Sequence, residues 1–332
     1  MAERLDARQW GDWWNKHSLT SFHGHFQNNY DGSLKQFWEE RFANLPDNAA
    51  IVDLATGNGA LALLAAEYSR EHDKSFRITG IDYANIQPEA LQQRHPLLEE
   101  IRFLVNTSME ATGLASASQD LIMSQFGFEY GDMPAASREV RRLLKPGGCF
   151  HAMIHHENSA ILAQAREALA QIKRCDKSAV AETATALVKL QQRLAREGKL
   201  SAAEQQHAKQ LHQALSHSLE KLRRYAQQLK DPSHVRMFTQ SIMLLFDRRN
   251  ARSITPEQRL QTIQRLMAEN QSYKQRMKDL RSAAYSPADF RKLEKNLKQL
   301  GFSEPSVQPQ EYAGQHFCHT ISACLNNSDL PL

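Results

Sequence analysis

The 332-residue sequence predicts an α/β fold: a doubly wound, seven-stranded, mostly parallel sheet with an N-terminal aromatic helical cap and a large all-helical insert. Three observations carry it. Between residues 46 and 157, apolar runs of strand length alternate with helical periodicity, the pattern of strands crossing over through helices. The pattern resumes at residues 286–332 with one more helix and a C-terminal strand pair. Between them, residues 158–285 hold only one of the 14 glycines, Gly198, and are rich in Ala, Leu, Gln, Lys and Arg, which favours continuous helix.

The elements follow in order. Residues 1–45 contain all four tryptophans (Trp10, Trp13, Trp14, Trp38), and the spacings 10/13/14 and 34/37/38 are helical. The first strand is the run Ala49 to Leu54, followed by a helix from Ala60 to Tyr68. Phe76 to Ile81, Ile101 to Val105 and Asp120 to Ser124 are the next strands. Ser137 to Leu144 is helical, Lys145-Pro-Gly-Gly148 breaks it, and Cys149 to Ile154 is the fifth strand. Ser286-Pro287-Ala-Asp289 is an N-cap with proline in the first turn, and Gly301 closes that helix. Val307 to Tyr312 and His316 to Leu325 form the last pair around Gly314.

Charge divides the chain the same way. Residues 158–285 carry 23 Lys and Arg against 11 Asp and Glu, whereas the rest carries 18 against 26. A basic helical insert admits three uses: recognition of an anionic partner such as nucleic acid, a phosphorylated glycan or lipid headgroups, a homodimerisation arm, or a solvated cover. Its densest patch is Arg248, Arg249 and Arg252, an anion site. Aromatic residues there are too sparse for a base-stacking platform.

Composition excludes other classes. With 23% charged and 41% hydrophobic residues the chain is neither disordered nor membrane-spanning, and its apolar run at Ser241 to Phe246 is far too short to cross a bilayer. The start, Met1-Ala-Glu-Arg, lacks the basic-then-apolar pattern of a secretory leader. The four cysteines, 149, 175, 318 and 324, lack metal-ligand spacing and read as reduced, mostly buried thiols, so the expected location is cytoplasmic.

In a doubly wound sheet the ligand lies beyond the carboxyl ends of the strands. The turn after the first strand reads Asp53-x-x-x-Gly57-x-Gly59, where glycine lets the backbone approach a ligand closely. Asp82 ends the second strand and suits the two hydroxyls of a ribose. Gly57-x-Gly59-x-x-Ala62 also satisfies the fingerprint of a nicotinamide-dinucleotide site, so the turn alone leaves NAD open.

Four segments, Val52-Asp-Leu-Ala-Thr-Gly-Asn-Gly59, Gly80-Ile-Asp82-Tyr, Asp120-Leu-Ile-Met-Ser124 and Leu144-Lys-Pro-Gly-Gly148, occur in this order. Together they resemble the class I S-adenosylmethionine-dependent methyltransferases, a Rossmann-like superfamily. The resemblance covers residues 46–157 and 286–326 and implies S-adenosyl-L-methionine as cofactor, with S-adenosyl-L-homocysteine as product. It implies that Asp53, Ala55, Gly57 and Gly59 surround the methionyl part, that Asp82 holds the ribose, and that Tyr83 flanks the adenine. Ser108 and Met109 would cap the adenine edge, and Gln125 would wall the reactive methyl. Two positions depart from the family pattern. Ala55 replaces a glycine, which a residue of ordinary φ tolerates, and Ser108 replaces a frequent Asp.

Methyl transfer is a displacement at a sulfonium carbon, in which the protein aligns the reactants and excludes water. For a hydroxyl or amine acceptor the candidate bases are His155, His156 and Glu157, just past the fifth strand. Phe126, Phe128 and Tyr130, after the fourth, are the expected acceptor contacts. Trp10, Trp14 and His17 belong to an N-terminal lid. His23-x-His25 lacks a third ligand, so no metal is expected. The domains are therefore a cap at 1–45, a cofactor-binding core at 46–157 and 286–332, and the basic insert at 158–285. The function this implies is methylation of a hydroxyl or amine on a small metabolite or sugar-type acceptor. Alternatives are an RNA methyltransferase using the insert, and a cofactor-binding regulatory or assembly protein without turnover.

Overall fold

The computed structural model describes residues 5–16, 18–21, 26, 28–247 and 253–327. The chain divides into two compact units, Met1–Ala163 with Leu280–Leu332, and Gln164–Asp279.

The first unit is built on one seven-stranded sheet. Its strands are β1 (Ala50–Leu54), β2 (Arg77–Ile81), β3 (Arg102–Leu104), β4 (Gln119–Gln125), β5 (Leu144–Ile154), β6 (Phe302–Tyr312) and β7 (Gln315–Leu325), in the order β3-β2-β1-β4-β5-β7-β6. The five strands from β3 to β5 are parallel, and β7 runs antiparallel to both β5 and β6. Every residue of β1 is buried, as expected for a central parallel strand covered on both faces. The order reverses between β1 and β4, and that switch point places the crevice at their carboxyl ends.

Helices α1 (Ala7–Trp14), α2 (Gly32–Ala43), α3 (Ala60–Glu71) and α4 (Met133–Leu143) belong to this unit. Leu34, Trp38 and Phe42 of α2 are wholly buried, so α2 is a core helix. Helix α1 packs on the segments that follow the strand ends, at Gly57 and Tyr130. The last helix of the unit, α10 (Pro287–Gln299), starts at the expected cap: Ser286 accepts from Asp289 N–H, and the Asp289 carboxylate accepts from Ser286 N–H. Its Phe290, Leu293 and Leu297 join Phe128, Val140, Phe150 and Ile321 in one core.

Three expectations need correction. The Lys145-Pro-Gly-Gly148 segment lies inside β5 and does not precede it, because the register shifts between Gln119–Leu144 and Leu121–Cys149 and so absorbs the breaker. The strand at Val307 begins five residues earlier, at Phe302, which pairs with Leu325 and buries its ring. The cysteines are not all reduced. Cys149 and Cys324 are disulfide-bonded across 175 residues, because the β5–β7 register sets them directly opposite, whereas Cys175 and Cys318 are free and buried.

The second unit is helical. It contains most of α5 (Ala160–Asp176), then α6 (Val180–Glu197), α7 (Ala202–Ala226), α8 (Ser233–Phe246) and most of α9 (Pro256–Ala283). Gly198, at positive φ, closes α6. Val188, Leu215, Leu222, Phe238, Ile242 and Ile263 form a core of its own. Asp176 of α5 binds Lys274 Nζ at 2.6 Å and Asn270 Nδ2 at 3.3 Å, which ties α5 to α9. Arg248, Arg249 and Arg252 lie outside the described residues. Among the described residues no helix is long and apolar enough to cross a membrane.

Candidate active site

The turn after β1 brings the polar groups of the crevice together. Ala55 and Gly57 lie at φ +54° and +55°, and Gly59 at +88°, before α3 begins. Gly57 N–H donates to Asp82 Oδ2 at 2.8 Å, and Ala84 N–H donates to Asp82 Oδ1 at 2.8 Å. Thr56 Oγ1 donates to Asp53 Oδ2 at 2.5 Å. Both carboxylates are buried. Burial pushes Asp53 up to about 7 against the Thr56 hydrogen bond, and Asp82 up to about 6 against its two backbone donors. Tyr83, beside Asp82, is 59% exposed, an aromatic ring with a free face.

Ala55 departs from expectation. It takes the left-handed conformation in which a methyl group costs about 1–2 kcal/mol, so the replacement of glycine is strained. Its partner in space is Gly127, where a Cβ would stand 2.5 Å from Ala55 Cβ. Phe126, at the end of β4, is also left-handed, at φ +59°. Two non-glycine residues at positive φ thus flank the switch point, and such strain concentrates at functional sites.

The N-terminal segment closes this crevice. Asn58 Nδ2 donates to Trp14 O at 2.9 Å and to Ser18 O at 2.8 Å. The Trp14 indole lies on Gly57, where a Cβ would meet it at 2.5 Å. Trp10 meets Tyr130 edge-on at 5.5 Å, and Gly11 packs on the Asn85 backbone. Helix α1 therefore touches the segments that follow β1, β2 and β4. His17, His23 and His25 lie outside the described residues.

At the end of β4, Gln125 Oε1 accepts from Trp38 Nε1 at 2.5 Å. The Tyr30 phenol lies beside Gln125 and Asp53, and burial first, then the Asp53 charge, push it well above its ordinary value. Ser108 and Met109 are half-buried, and Ser108 Oγ hydrogen-bonds the Glu110 carboxylate, which also accepts from Asp132 N–H at 2.8 Å. A carboxylate therefore stands two residues from the position where the family pattern has one.

The expected acceptor contacts and bases divide. Phe126 stacks on His155 at 4.6 Å. Phe128 is no acceptor contact: it is wholly buried against Phe150 in the core, because the short helical turn at 128–130 points it inward. His155 and His156 are not one catalytic group. His155 is buried among aromatics and held down to about 3 by that burial, whereas His156 turns toward β7, 4.3 Å from the His319 ring. Glu157 is exposed. The buried acid that sequence reasoning passed over is Glu129, which accepts from His155 N–H at 2.8 Å and is pushed up to about 7 by burial. It lines a cleft of about 290 Å³ with Met133, Tyr285, Asp289 and Lys292. Its signal was its position between two aromatics, where a carboxylate is costly unless it is used. Trp38 and Tyr30 carried a signal too, since buried indole and phenol groups need partners.

Residues 51–148 match the family described as a methyltransferase domain. The chain is 34% identical over 107 residues to a dimethylglycine N-methyltransferase of Parasynechococcus marenigrum, covering 32% of this chain and 37% of that one. It is 28% identical over 118 residues to a 2-phytyl-1,4-naphtoquinone methyltransferase of Thermosynechococcus vestitus, covering 35% of this chain and 51% of that one. Among solved structures it is similar to the CMeT domain of citrinin polyketide synthase, at 10% identity and a TM-score of 0.45, over 88% of this chain and 51% of that one. The chain thus spans about two-fifths to one-half of the length of these curated relatives.

Residues 51–148 are a class I S-adenosylmethionine-dependent methyltransferase domain. The cofactor of such a domain is S-adenosylmethionine, which decides the Gly57 turn against NAD. The donor set fits that molecule: two buried carboxylates suit an ammonium or sulfonium and a vicinal diol, and Asn58 Oδ1 is buried with no hydrogen-bond partner among the described residues.

Proposed function

We propose that the chain is an S-adenosylmethionine-dependent methyltransferase acting on a hydroxyl or amine of a small molecule. The observation that supports this is the covered crevice: Trp14 lies on Gly57 and Trp10 meets Tyr130 edge-on, so α1 covers the segments that follow β1 and β4 and shields them from water. The curated relatives named above carry the names of small-molecule methyltransferases, which agrees with this reading.

The cofactor, when bound, supplies a methyl group on a positively charged sulfur. In this reading Asp53, Ala55, Gly57 and Gly59 receive its methionyl part. Asp82 accepts from the ribose, Tyr83 covers the adenine, and Ser108, Met109 and Glu110 border the adenine edge. Gln125 is held by Trp38 and faces the reaction side. The proton of the acceptor goes to Glu129, whose raised affinity for protons near neutrality suits a general base better than His155 does. Glutamate 157 and His156 are left outside this step. The surplus of Lys and Arg over residues 158–285 supports an anionic partner for the helical unit, beside its other two uses as a dimerisation arm or a solvated cover.

Calorimetry with S-adenosylmethionine, S-adenosylhomocysteine and NAD tests the cofactor. Binding of the first two and not of NAD is the expected result, and binding of NAD alone would overturn it. Glu129→Gln is expected to lower kcat about 100-fold or more while leaving cofactor affinity unchanged. An unchanged kcat would remove Glu129 from the reaction.

A further inference from the structure

We propose that His156, His316 and His319 form a binding site for a divalent transition-metal ion at the carboxyl end of β5. One ring nitrogen from each lies within 4.8 Å of the other two. His316 Nε2 and His319 Nδ1 face each other at 3.1 Å. Two nitrogens on a tetrahedral ion with bonds of about 2.1 Å stand roughly 3.4 Å apart, so this pair already has near-ligand spacing. His156 is the ligand that turns on loading, because Asn158 N–H rests on its Nδ1 at 3.1 Å.

A local irregularity builds the pair. In a regular strand, residues three apart point to opposite faces. Here β7 pairs Cys318 with Gln310 but His316 with Glu311, so Phe317 is an extra residue without an opposite number. That bulge shifts the phase and brings His316 to the face of His319, and re-aiming a side chain is what bulges near sites do. His319 in turn stands opposite Ile154, two residues before His156 on the same side of β5. Phe290 walls the group, 5.9 Å from the His156 ring and 5.0 Å from that of His319. His316 and His319 are half-buried, which leaves a route for an ion, while His156 is buried.

Three imidazoles suit zinc, cobalt, nickel, copper or ferrous iron, and not calcium or magnesium. A three-histidine set leaves a fourth position for water or for an oxygen of a ligand. A second group, Cys149, His151 and Cys324, also has ligand-like spacing, but its two sulfurs are bonded to each other.

The test is a titration of the metal-stripped full chain with Co²⁺, read by its visible absorption and displaced by Zn²⁺. One ion per chain is expected. His316→Gln and His319→Gln should each weaken it about tenfold or more, with S-adenosylmethionine affinity unchanged as evidence of intact folding. Cys149→Ser should leave it unchanged. No saturable absorption overturns the proposal, as does binding that survives both histidine variants or is lost with Cys149→Ser.

Discussion

The carboxyl ends of β1, β2 and β4 and the seam between β5 and β7 are polar regions of one sheet, made from opposite chemistry. The first holds Asp53, Asp82 and, in the following loop, Glu129; the second holds His151, His156 and His319. Burial raises the first set, to about 7, 6 and 7, and lowers the second, with His151 at about 3 and His319 at about 4. Desolvation thus disfavours the charged form in both. The outcome differs in what each can accept. The carboxyls stand ready to ionise when a cation or hydroxyl arrives, whereas the imidazoles hydrogen-bond their neighbours, His151 to Ser322 and His316 to His319.

Removing the cross-link separates the two regions most sharply. Cys149→Ser, or reduction, releases a loop closed over 175 residues, and a loss of about 2–5 kcal/mol is expected in denaturant unfolding. Cofactor affinity should barely change. A parallel loss of affinity would mean that the β5–β7 seam also shapes the cofactor crevice.

Asp82→Ala acts at the other end. It removes the charged acceptor of two backbone N–H groups and of the proposed ribose contact, worth roughly 1.5–3 kcal/mol, so a 10- to 150-fold rise in the dissociation constant is expected by calorimetry. Equal affinity would break the ribose assignment.

The pH response is the third and smaller effect. Carboxyls whose folded pKa is raised contribute stability that is complete below the unfolded value, near 4, and is lost as pH rises through 6 to 7. Over the same interval they become anionic, so affinity for the cofactor should grow several-fold relative to its product, which lacks the sulfonium charge. Calorimetry of both ligands at pH 5.5 and 7.5 checks this, and a constant ratio would mean that neither Asp53 nor Asp82 ionises near the sulfonium.

Ala55→Gly is the finest probe. Relief of the left-handed methyl exceeds the entropy glycine adds to the unfolded chain, for a net gain of about 0.5 kcal/mol. A melting temperature that falls instead would show that the Ala55 contact with Gly127 outweighs the strain.

The parts legible in the sequence were those with local causes. Strand and helix periods, the Ser286 cap and the Gly57 turn depend on neighbours within a few residues, and Asp53, Asp82 and Gln125 follow from strand ends. Ala55 was misjudged because φ is a property of the folded turn. Phe128 was misplaced because a single helical turn decides whether a ring faces the crevice or the core.

The sequence by itself determined the sheet, the helical insert and the cofactor-binding turn, since alternation, helical spacing and glycine chemistry act over short range. Tertiary structure alone decided the Cys149–Cys324 bond, the Trp38–Gln125 contact and the meeting of His156 with His316 and His319. Each joins residues 87 to 175 or so positions apart, and the last depends on one bulged residue that reverses the alternation on which sequence reading relies.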